Sequence, residues 1–186
     1  MFSGQRAWKL VLFGALGGAA LGVVARLWMR WISTDPEFTW GGTLGIVIAF
    51  TVFTTIQTAI YVLRRKVVTR RLTSVARGVG IFFTLPLFTA AGSIMFPTVA
   101  LSSIALWQKK MDRKVRIALC VIGSIIPILQ IKGFISNFGW TIATLGRVLL
   151  FIAIYVIVVI LIKPTISPFT SEPRLKRVEG LNISWK

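Results

Sequence analysis

Apolar residues fall in five long runs, at about 10–31, 41–63, 78–107, 117–131 and 141–162, and polar residues collect in the short stretches between them. About twenty helical residues cross the hydrocarbon of a bilayer, so most of these runs have membrane length. Inside lipid every backbone N–H and C=O must pair within the protein, which leaves helices as the form such runs take. The pattern predicts an all-α, polytopic transmembrane helix bundle over 1–163 and a basic tail over 164–186. Two runs break the pattern. Run 78–107 is long for one span and holds Pro86 and Pro97. Run 117–131 is short, contains Pro127, and would need local thinning or help from Gln130 and Lys132 reaching to the interface.

Composition agrees with a membrane protein, since a mean hydropathy of +0.81 with 55% apolar residues lies outside the range of soluble domains. The net charge of +17 resembles that of a nucleic-acid binder, but the basic residues sit in short connectors and the tail, where the positive-inside bias puts them. A nucleic-acid partner is therefore not expected.

The same bias decides how 78–107 runs. If it dips in and returns, eighteen Lys and Arg residues share the cytoplasmic side and only Lys132 lies outside, with Arg26, Arg30 and Arg147 membrane-embedded. A single crossing would divide the same residues nine against ten. The expectation is four full spans plus one broken or re-entrant segment, bent near Met95-Phe96-Pro97, with five conventional spans as the alternative. Both termini are then cytoplasmic, in a bacterial inner (plasma) membrane.

The first run carries Gly14, Gly18 and Gly22 in one line, a surface that lets a second helix approach closely. That row predicts a tightly packed helix pair, within the chain, in a homo-oligomer or with a partner membrane subunit. In the second run Thr51, Thr54, Thr55, Thr58 and Gln57 form a stripe, read as interhelical hydrogen bonding or back-bonding to the helix's own carbonyls rather than as a transport path. Gly18-Ala19-Ala20 has the look of a signal-peptide cleavage site, but the apolar run continues past it into a Trp/Arg border. In the tail, Leu175, Val178, Leu181 and Trp185 would share one side of a short helix lying on an anionic leaflet, the alternative being a solvated tail. Asn182-Ile183-Ser184 fits a glycosylation sequon but falls on the predicted cytoplasmic side.

Chemistry-bearing residues concentrate in ARLWMRWISTDPEFTWGG, residues 25–42, where the first span meets water. Arg26 and Arg30 are an i, i+4 pair, Trp28 and Trp31 suit an interface, and Asp35 and Glu37 flank a proline. In the re-entrant topology Arg147, near the start of the last span, reaches the same outer side. Arginines at membrane depth face the bundle interior or water and pair with something. Arg26, Arg30 and Arg147, with Trp28 and Trp31, are therefore the candidate binding residues for a phosphate or carboxylate, from a lipid headgroup or from a small anionic or amphipathic solute that is bound or moved. Snorkelling arginines paired with Asp35 and Glu37 are the structural alternative.

An enzyme would use Asp35 or Glu37 as a carboxyl acid on an apolar, isoprenoid-like substrate. An accessory subunit would dock through Gly14, Gly18 and Gly22. The chain has no histidine and one cysteine, Cys120, so no metal site, internal disulfide or cofactor is expected. The stretch 25–42 resembles segments of small uncharacterised bacterial integral membrane proteins. That resemblance covers about the first third of the chain and implies no activity.

Overall fold

The computed structural model describes residues 4–33, 39–66, 70–84, 87, 95–108 and 111–167. The helices among them are α1 (Gly4–Ile32), α2 (Trp40–Lys66), α3 (Arg70–Phe82), α4 (Met95–Trp107), α5 (Arg113–Phe138), α6 (Ile142–Leu161) and the single turn α7 (Lys163–Ile166). Four stretches are long and apolar enough to cross a membrane: Ala7–Ile32, Trp40–Arg64, Arg113–Phe138 and Ile142–Ile166. At 1.5 Å per residue, each exceeds the roughly 30 Å of hydrocarbon. Met95–Trp107 is a shorter apolar helix.

Helices α1 and α2 form an antiparallel pair with the glycine row as its seam. A Cβ on Gly18 would lie 2.7 Å from the Phe50 carbonyl oxygen and 2.9 Å from Thr51 Cα, and one on Gly22 would lie 2.8 Å from Val47 Cα. Backbones this close admit no side chain between them. The threonine stripe of α2 turns back on its own helix. Thr51, Thr54, Thr55 and Thr58 donate to the carbonyls of Val47, Phe50, Thr51 and Thr54, at 2.6–2.9 Å. Hydroxyls satisfied in this way can lie against the glycine seam at no desolvation cost.

The segment between α2 and α5 enters the bundle and comes back. Near its start, Gly80 packs on Ile60 and Thr165, and Arg77 Nη2 donates to the Ser167 carbonyl. Near its end, Trp107 Nε1 donates to the Val159 carbonyl at 3.0 Å and Gln108 Nε2 to the Ile166 carbonyl at 3.0 Å. Both ends therefore meet the last residues of α6 and α7, while Leu87, Met95 and Val99 lie deep among Trp28, Phe50 and Ile154. This is the re-entrant arrangement. The C-terminal end of α2 and the N-terminal end of α5 share one end of the bundle, called here the basic end. The C-terminal end of α1, the N-terminal end of α2 and residues 139–141 lie at the distal end.

The polar residues of this hairpin are buried: Thr84, Thr98, Ser102 and Ser103 are each at most 9% exposed. Thr84 and Thr98 donate to the Gly80 and Met95 carbonyls at 2.5 and 2.7 Å, and Ser102 Oγ bonds the Tyr155 hydroxyl at 2.8 Å. Broken backbone at membrane depth needs such company, because lipid offers no partners.

Several boundaries differ from the sequence reading. Met95-Phe96-Pro97 is helical, Pro97 falling in the first turn of α4, where its missing N–H would have had no intrahelical partner. Helix α5 runs well beyond 117–131, through Pro127, and ends at Gly139, whose φ of 68° suits only glycine. Lys132 is therefore an exposed residue inside a helix rather than part of a loop. In lipid, continuing the helix past a proline leaves fewer unpaired groups than stopping there. By contrast, α6 begins where the pattern places it. Thr141 caps it, its Oγ1 accepting from the Thr144 N–H at 3.1 Å.

Candidate functional site

The distal half of the bundle holds a cavity of about 340 Å³. Its walls come from α1 (Ala25, Trp28, Met29), α2 (Phe50), the re-entrant hairpin, α5 (Gln130, Phe134) and α6 (Phe151, Ile154, Tyr155). Trp28 stacks on Phe151 at 5.5 Å between ring centroids, and Phe134 meets both rings edge-on at 5.9 Å. These offset and edge-on geometries suit ring quadrupoles and hold the wall rigid. The Trp28 indole N–H is occupied, donating to the Arg147 carbonyl at 2.9 Å. The Tyr155 hydroxyl is tied to Ser102. What remains to a ligand is an aromatic and aliphatic surface with the Gln130 side chain as its one further polar group among the described lining residues.

Arg147 stands one turn distal to Phe151. Its guanidinium carbon lies 3.9 Å from the centroid of the Phe138 ring and 5.6 Å from that of Trp31, and Gly146 leaves the room that the Trp31 ring fills. Its Nε is buried without a hydrogen-bond partner. Ring faces attract a cation but accept no directed hydrogen bond as an oxyanion does. The group is thus held in place with donor capacity left over.

The structure brings Trp28, Trp31 and Arg147 together beside the cavity: Trp28 lines it, and Trp31 and Arg147 stand just beyond its lining. Arg26, four residues beyond Gly22, lies on the α2 side of α1. Arg26 Nε donates to Thr43 Oγ1 at 3.2 Å, and its guanidinium lies beside Gly42. The glycine row itself is covered by α2 of the same chain, so a partner would have to use another face. Asp35 and Glu37 lie outside the described residues. Asp112, at the basic end, is the one carboxyl within them. Arginines elsewhere therefore rest on carbonyl oxygens: Arg116 donates to that of Ala105 at 3.0 Å, and Arg64 to those of Pro164 and Ser167.

Phe134, Phe151, Tyr155 and Gln130 were not singled out by sequence. A signal existed for two of them. Arg147, Phe151 and Tyr155 are spaced four apart, which marks one stripe of α6, and Tyr155 is the sole ring hydroxyl in the most hydrophobic span. Gln130 carried none, because it read as a snorkelling residue at a helix end. No family model matches the chain, and neither the curated proteins nor the solved structures contain a match to it.

Proposed function

We propose that this integral membrane protein binds an amphipathic molecule with an anionic head, either a lipid or a lipid-like solute. The apolar part occupies the cavity lined by Trp28, Phe134, Phe151 and Tyr155, and the head meets Arg147 at the distal rim. The observation that carries the reading is the buried, unpartnered Arg147 Nε one turn from the aromatic wall. Pockets for small ligands typically combine such a lining with a few placed polar groups. The positive-inside bias puts the basic end in the cytoplasm and the cavity mouth in the outer half of the membrane.

The carboxyl-acid enzyme reading draws no support from the described cavity-lining residues, none of which carries a carboxyl group; its candidates Asp35 and Glu37 lie outside the described residues. The test uses the full chain in mild detergent, titrated with a single-chain phosphatidic acid carrying brominated acyl carbons that quench tryptophan. Arg147→Gln is expected to weaken binding about tenfold, the scale of one charge-assisted hydrogen bond. It should leave binding of the matching uncharged monoacylglycerol unchanged. Equal affinity of wild type and variant for the phosphatidic acid would remove Arg147 from the site and end this reading.

A further inference from the structure

At the basic end, a groove of about 230 Å³ runs between α2 and the α6–α7 junction and shares none of its lining residues with that cavity. Gln57, Tyr61, Ile160, Leu161, Lys163 and Pro164 border it. Three features distinguish it from ordinary lipid-facing surface. Gln57 is 1% exposed, yet only one end of its amide is used: Oε1 accepts from Thr165 Oγ1 at 2.6 Å, while the buried Nε2 has no partner. A buried amide N–H₂ left unpaired forfeits the water it would otherwise bond, so it favours a ligand that supplies an acceptor. Next to it stands an exposed cation, Lys163, steered by the Trp107 ring, whose centroid is 4.5 Å from Nζ. The remaining walls are mostly apolar and open to the lipid side, with Ile160 54% and Tyr61 39% exposed, and the Thr58 hydroxyl is spent on the Thr54 carbonyl.

We infer that this groove is a binding site for an anionic glycerophospholipid of the leaflet at the basic end, its phosphate at Lys163 and an ester carbonyl oxygen accepting from Gln57 Nε2. A free phosphate would satisfy the ammonium but would leave the apolar walls and the deeper amide without a partner. A diacyl lipid supplies all three complements: an anion at the interface, a carbonyl acceptor just below it, and a chain along Ile160 and Tyr61. Anionic lipids are drawn to basic residues at a membrane surface in this way. The site is separate from the distal cavity and does not depend on the function proposed for it.

Native mass spectrometry of the full chain in mild detergent tests this, in an Arg147→Gln background so that headgroup charge selectivity at the distal cavity does not contribute. Phosphatidylglycerol and phosphatidylcholine with the same acyl chains are the probes, and thermal unfolding of each variant confirms that it is folded. One phosphatidylglycerol per chain is expected to be retained in preference to phosphatidylcholine. Lys163→Gln, at an exposed position, should reduce that preference about fivefold, the factor equivalent to about 1 kcal/mol for one basic residue at an anionic surface. Gln57→Leu should lower retention of both lipids together, because both carry ester carbonyls. Phosphatidylglycerol retention unchanged in both variants would overturn the proposal, as would its displacement by inorganic phosphate.

Discussion

Gly18→Leu is expected to abolish the folded bundle in mild detergent, whereas Gly17→Leu leaves it intact. A Cβ on Gly18 meets the Phe50 carbonyl oxygen at 2.7 Å and Thr51 Cα at 2.9 Å, and both are backbone that cannot swing aside. The helices must separate, which also breaks the fit at Gly14 and Gly22. Overpacking usually costs about 1–3 kcal/mol where side chains can adjust, and a wedge against backbone exceeds that range. Gly17 has nothing within 4 Å of its Cβ position and faces outward. The pair separates a packing effect from a helix-propensity effect, because both variants replace glycine by a better helix former. Monodispersity on size exclusion and thermal unfolding read the outcome. Equal behaviour of the two variants would show that the α1–α2 seam is not a close contact.

Phe53→Ala should lower stability by about 3 kcal/mol, with Leu16→Ala near zero as its control. Phe53 is fully buried and belongs to the cluster of Ala25, Phe50, Leu87, Val99 and Val158, which joins α1, α2, the re-entrant hairpin and α6. Lipid tails are as apolar as a phenyl ring, so burying Phe53 gains little by transfer from the membrane. What it gains is close packing on all sides, and truncation forfeits those contacts and leaves a void. Leu16 is 59% exposed to the region where lipid would lie, and lipid refills the space. Unfolding of the two variants in the same detergent, referenced to wild type, gives the difference directly.

The parts of this architecture that were legible in the chain are those where a residue type is unusual for its surroundings. Three glycines at four-residue spacing mark a seam in any helix, and α2 fills it. Basic residues counted over connectors point to a returning hairpin, because a single crossing would distribute them evenly. The cavity was less legible. Its walls are drawn from spans where nearly every residue is apolar, so composition cannot tell Phe151, which faces inward, from Ile152, which is 42% exposed. The placing of the arginines shows the same limit. Topology alone puts Arg26, Arg30 and Arg147 at one end. Only the rotation of α1, set when Gly14, Gly18 and Gly22 turn to α2, puts Arg26 on the seam side and Trp28 and Trp31 on the Arg147 side. The register that decides this, residues 14, 18, 22 and 26, was present in the sequence throughout.

The account rests on the hairpin returning to the end it started from, and cysteine labelling in intact vesicles tests that most directly. In a Cys120→Ala background, Ser74→Cys and Asp112→Cys should react with a membrane-impermeant maleimide from the same side, and Trp140→Cys from the other. Labelling of Ser74→Cys and Asp112→Cys from opposite sides would mean that the segment crosses the membrane, and would contradict the bundle described here.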